Sequence, residues 1–188
     1  MVDIIIHYWE MAEMRKKEAK ESIAILGGHE KDLAFLDYPD RGLKCDKESV
    51  NRLLSILNDY RPQAVYVPFF IDDHRDHRST VAILASALMH YPYDISCYNY
   101  EVWTPLSPNL VVDITHLIDK KLEAIKAHKS QINIINYPEK IRGLNAYRSI
   151  TAGKDVEYCE AFYKCSKQEY IAIAKEMVFE QIIGLKEP

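Results

Sequence analysis

Residues 63–91, QAVYVPFFIDDHRDHRSTVAILASALMHY, join three contrasting stretches without a spacer. The first, AVYVPFFI, is rich in β-branched and aromatic residues and reads as a mostly buried strand, with Pro68 marking where its last residues leave the ladder. The last, RSTVAILASALMHY, reads as a helix that begins directly beyond the charged loop DDHRDH at 72–77. A buried strand that feeds a helix through a short loop is one half of a βα unit, and open α/β sheets bind ligands outside the carboxyl ends of such strands. The loop brings Asp72, Asp73 and Asp76 together with His74 and His77. Imidazole nitrogens and hard carboxylate oxygens suit Zn²⁺ or another divalent first-row ion, and a carboxylate beside a histidine can fix its tautomer. Charged residues also end strands and begin helices, so the pattern alone leaves a metal or catalytic site and a structural loop equally open.

The rest of the chain alternates in the same way. EMRKKEAKESIAILGG predicts an amphipathic helix with Ala19, Ile23 and Leu26 on one face, stopped by Gly27-Gly28. DLAFL is a short strand candidate, followed by the turn-like DYPDRGL. DKESVNRLLSILNDY predicts a helix capped by Asp46, with Val50, Leu53, Leu54 and Leu57 on its buried stripe. ISCYNYEVW, LVVDI and VEYCEAFYKC read as strands; THLIDKKLEAIKAHKSQ, with Thr115 or Asp113 at its cap, NYPEKIRGLNAYRSITAG and SKQEYIAIAKEMVFEQII read as helical. Helices alternating with short apolar strands over 188 residues predict one α/β domain, residues 1–188, with a mostly parallel sheet.

Composition narrows the function classes. The net charge of -4, with basic residues scattered among acidic ones, argues against a nucleic-acid footprint. Without a run of 18 apolar residues or a C-x-x-C pair, the chain is expected to be soluble and cytoplasmic, without a membrane partner, its four cysteines free thiols. Gly27-Gly28 lies in no dinucleotide fingerprint. Tyr98, Tyr100 and Trp103 suit either a stacking wall for a sugar or ordinary burial.

RPQAVYVPFFIDDHRDH resembles the second signature of the LmbE-like, or PIG-L, family of metal-dependent N-deacetylases. The likeness extends upstream through RKKEAKESIAILGG and FLDYPDRGL, and downstream through YEVW, VVDIT, KLEAIKAHKSQ and VEYCEAF, in the family's order. The resemblance implies a Rossmann-like three-layer α/β fold, usually with Zn²⁺, and removal of acetyl from an N-acetylated amino sugar or glycoconjugate. It implies that His77 is the metal ligand, that His74 faces the carbonyl and assists the leaving amine, and that Asp76 orients His74. By the same resemblance Arg15, Asp40, Arg41 and Asp73 contact substrate, while Asp113 is better read as a cap and Lys121 and His128 as a packing network or support for the cleft.

The family's first signature, a His-Pro-Asp-Asp run that supplies two further ligands and the general base, has no counterpart here. On this reading the sheet is missing its first strand-helix unit, with VDIII at 2–6 a candidate remnant strand. A late start site, a fragment of an intact enzyme and a truncated relative all fit that pattern. The expected function is zinc-dependent N-deacetylation; a catalytically inactive sugar-binding or regulatory relative and a metal-dependent phosphoesterase are the alternatives. An exposed sheet edge would also favour a homo-oligomer.

Overall fold

The computed structural model describes residues 2–179, and the chain separates into two compact units, Met1–Asp37 with Val111–Glu160, and Tyr38–Leu110 with Ala161–Pro188. The first unit is mainly helical. Helix α1 (Val2–Leu26) packs on α4 (Ile118–Lys126) and α5 (Lys129–Ile132), and α4 packs on α6 (Tyr137–Arg148). The segment VDIII is therefore the first turn of a helix and not a remnant strand, and DLAFL also forms no strand. Gly27, at φ +95°, ends α1 as expected: its N–H and that of Gly28 turn back onto Ala24 and Ile23 carbonyls. Leu26, assigned to the buried face, is 48 % exposed.

Two polar ties hold this unit. Buried Glu18 accepts hydrogen bonds from the Ser130 N–H and Oγ, each at 2.7 Å. Lys121 Nζ donates to Glu160 and to buried Asn145, whose Nδ2 donates to the Cys159 carbonyl. Lys121 thus belongs to a packing network. Thr115 caps no helix: α4 starts at Ile118, and Thr115 Oγ1 accepts from the Glu157 and Tyr158 amides. Asp113 accepts from the Thr115 N–H at 2.8 Å, which shapes the turn ahead of α4.

The second unit builds the strand–loop–helix seen in the sequence. Strand β1 (Ala64–Pro68) pairs in parallel with β2 (Ser96–Tyr100), with α3 (Arg75–Leu88) as the crossover. The sheet, however, is mixed. β2 pairs antiparallel with β4 (Cys159–Ser166), from Ser96 opposite Ser166 to Tyr100 opposite Phe162, in the strand order β1-β2-β4-β3, where β3 is Leu110–Asp113. The expected mostly parallel sheet is thus not formed. Helix–strand alternation constrains direction only where one helix links two neighbouring strands, as α3 links β1 to β2. No such crossover joins β2 to β4, so nothing local sets β4's direction.

The core of this unit lies between the sheet and α3, with Val67, Phe70, Val81, Leu84, Leu88, Cys97 and Tyr170 nearly inaccessible. α2 (Lys47–Tyr60) adds Leu57 to it, and its predicted cap is present: Asp46 accepts the Ser49 N–H at 2.9 Å. α7 (Lys167–Ala174) adds Tyr170, followed by a π-turn at Lys175–Phe179; the last residues of the predicted terminal helix lie outside those described. The four cysteines are free, and among the described residues no helix is long and apolar enough to cross a membrane.

Leu88→Ala should lower the unfolding free energy by about 2–5 kcal/mol in urea titrations, because it empties a well-packed site. Ile134→Ala, at a position 82 % exposed, should change it by less than about 0.5 kcal/mol.

Candidate metal centre

β1 delivers the chain to the site. The Phe69 N–H still donates to the Tyr100 carbonyl, and the Asp72 N–H then donates to the Phe69 carbonyl, so the chain turns sharply within the charged loop. α3 starts earlier than its apolar pattern suggests. His74 is its N-cap, with Nδ1 accepting the Asp76 N–H at 3.2 Å, so Asp76 and His77 stand in the first helical turn. A carboxylate there meets the positive end of the helix dipole and unpaired amide groups.

Asp72 is the anchor of this arrangement. Fully buried, it accepts the His74 N–H at 2.9 Å and the His77 ring Nδ1 at 2.8 Å on Oδ1, and the Trp103 N–H at 3.0 Å on Oδ2. Burial alone would raise its pKa, but the His74 and Trp103 amides and the His77 ring together hold it below the ordinary carboxylate value. Tyr100 responds in the opposite sense, its phenol pushed up by burial and by the Asp72 charge. Arg78 clamps the same loop by donating to the Asp72 and Asp73 carbonyls at 2.7 and 2.8 Å, and the Asp73 N–H donates to Thr104 Oγ1.

The second component is the loop DYPDRGL. Arg41 adopts φ +58°, and its N–H donates to Asp76 Oδ2 at 2.7 Å. The Gly42 N–H closes a turn on the Pro39 carbonyl, and a Cβ at Gly42 would lie 2.5 Å from the Pro39 ring, so only glycine fits. This turn brings Asp40 to α3. Ligand atoms of Asp40, His74 and Asp76 all lie within 4.8 Å of one another. Asp76 Oδ1 is buried and lacks a hydrogen-bond partner, an arrangement that costs free energy unless a cation or donor meets it. One imidazole and two carboxylates fit a divalent first-row ion. The His77 ring stands beside this cluster, 4.8 Å from the His74 ring between centroids.

The predicted site residues distribute as follows. Asp40, His74 and Asp76 converge, with Arg41 joined to Asp76 through its backbone and His77 alongside. Asp73 is exposed at the loop surface, and Arg15 is half-buried on α1 in the other unit. His74 is met by the Asp76 amide rather than by its carboxylate. Sequence reasoning assigned no separate role to Asp72, although its place at the end of an apolar run signalled a buried carboxylate. Nor could it foresee that the Trp103 backbone would bind it from 31 residues away. The Trp103 indole stands edge-on to His74, with centroids 5.2 Å apart, and is 47 % exposed.

Three comparisons bear on this geometry. The profile of the GlcNAc-PI de-N-acetylase (PIG-L) family matches residues 4–88. A diacetylchitobiose deacetylase of Thermococcus kodakarensis is 27 % identical, over 65 % of this chain and 51 % of its own length. A 4-oxalmesaconate hydratase of Pseudomonas putida is 26 % identical, over 80 % of this chain and 66 % of its own. Among solved structures, the N,N'-diacetylchitobiose deacetylase from Pyrococcus horikoshii superposes with a TM-score of 0.74 at 27 % identity, covering 86 % of this chain and 66 % of that one. The chain thus spans between half and two thirds of the length of these relatives.

The depressed Asp72 pKa sets a pH dependence. Its stabilisation is complete above the unfolded carboxylate pKa of about 3.9 and is lost as pH falls through the lower folded value. Urea titrations of the metal-free protein should show stability declining steeply below about pH 4. Asp72→Asn should be less stable at neutral pH and should show a shallower acid decline.

Proposed function

We propose that this chain, which belongs to the PIG-L, or LmbE-like, family, carries the centre of a zinc-dependent N-deacetylase acting on an N-acetylated amino sugar or its conjugate. The observation that carries this reading is the convergence of Asp40, His74 and Asp76 beside His77 at the carboxyl end of β1. Two relatives named as diacetylchitobiose deacetylases support the substrate class.

A bound Zn²⁺ would supply Lewis-acid polarisation of the amide carbonyl and activation of water. The residues of the chain would do the rest. His77, Asp40 and Asp76 are the groups proposed to hold the ion. His74, at the mouth of α3, would meet the carbonyl oxygen of the acetamide and, when protonated, pass a proton to the departing amine. Asp76 anchors the cap on which the His74 ring rests and, through the Arg41 amide, the turn that carries Asp40. Arg41 and Asp73 are proposed substrate contacts through sugar hydroxyls or a phosphate. The reaction would release acetate and a free amine.

The hydratase relative, alike over 80 % of the chain, supports a second reading, a metal-assisted addition of water to a carbon–carbon double bond. Acetate release separates the two. The purified chain loaded with Zn²⁺ should release acetate from N,N'-diacetylchitobiose, and chelation should abolish the activity. His77→Ala should reduce the rate at least about 100-fold and weaken metal uptake, whereas Tyr98→Ala should retain both. Metal uptake without acetate from any N-acetylated sugar would overturn the deacetylase reading, and hydration of 4-oxalmesaconate by that same sample would establish the rival.

A further inference from the structure

We infer that His74 and His77 are locked in opposite tautomers, and that Asp72 is the positioning residue that sets the one at His77. The two rings are neighbours on one helical turn, with centroids 4.8 Å apart, yet their hydrogen bonds demand opposite proton placements.

The His77 Nδ1 lies 2.8 Å from Asp72 Oδ1. The Asp72 carboxylate already accepts the His74 amide on Oδ1 and the Trp103 amide on Oδ2, so it meets the His77 ring as an acceptor. A neutral His77 must then carry its proton on Nδ1 and leave the Nε2 lone pair bare. At His74 the situation is reversed. The backbone N–H of Asp76 donates to Nδ1 at 3.2 Å, and a backbone amide can only donate. A neutral His74 therefore keeps Nδ1 bare and carries its proton on Nε2.

A division of labour follows. His77 presents a lone pair on Nε2 and is suited to a cation, in the manner of carboxylate–histidine–metal triads. His74 presents an N–H on Nε2, suited to an oxygen that gains negative charge. Asp72 also binds the Trp103 amide, so the carboxylate that orients His77 also fixes the loop carrying the indole edge-on to His74. The role division rests on the metal-dependent reading above, whereas the tautomers themselves do not.

Long-range proton–nitrogen correlation spectra of the metal-free chain, labelled with ¹⁵N, report each ring directly. Recorded at about pH 8.5, the ring ¹⁵N shifts distinguish a protonated from a bare nitrogen at each position. His74→Ala and His77→Ala assign the two signals among the seven histidines. The expected result is a proton on Nδ1 of His77 and on Nε2 of His74. The same tautomer at both rings, or a proton on Nε2 of His77, overturns the inference whatever the enzyme assay shows. In Asp72→Asn the His77 signals should shift toward a mixture of tautomers, and Zn²⁺ affinity, read by competition with a chromophoric chelator, should fall about 10–100-fold. A variant with unchanged His77 signals and unchanged affinity removes Asp72 from the positioning role. If that variant does not fold, the wild-type spectrum still decides the tautomers.

Discussion

A single carboxylate, excluded from solvent, organises the centre of this protein. Asp72 gathers the His74 amide, the His77 ring and the Trp103 amide, and it stays ionised because those donors replace the water that burial removes. An unpaired buried charge would cost several kcal/mol, so the three contacts form together or not at all. The loop after β1, the first turn of α3 and the segment after β2 are thereby held in one arrangement. His74 and His77 inherit their positions from that bond set.

The beginning of α3 is the second constraint. The first amides of a helix lack intrahelical acceptors, and here His74 Nδ1 takes one of them while the Thr80 hydroxyl binds the Asp76 carbonyl. Capping by a histidine is uncommon among preferred caps, which favour short polar side chains. It places a functional ring where Ser or Asp would serve stability alone. The Arg41 amide then reaches Asp76 from a left-handed backbone, and that conformation brings Asp40 to the same carboxylate. Local strain at the DYPDRGL turn and the cap at α3 thus meet on Asp76.

Much of this was legible along the chain. The strand–loop–helix at 63–91, the Asp46-capped α2 and the glycine end of α1 all follow from short-range rules, because each depends on neighbours within one turn. The grouping of His74, Asp76 and His77 was visible for the same reason. The direction of β4, the burial of Asp72 by a residue at 103 and the arrival of Asp40 depend on contacts between distant segments. No spacing rule encodes those. DLAFL has strand composition but forms no strand, and Thr115 is a suitable cap whose hydroxyl serves the Glu157 and Tyr158 amides instead.

The sequence by itself determined the chemical inventory at DDHRDH and its place between a buried strand and a helix, since apolar periodicity and residue type are local properties. The tertiary structure alone decided which polar atoms are bound and which are left open. Hydrogen bonds from outside the loop assign that distinction: Trp103 joins His74 and His77 on Asp72, while Asp76 Oδ1 remains buried without a partner beside Asp40. A list of ligating residues becomes a centre only when three-dimensional packing settles which lone pairs are already in use.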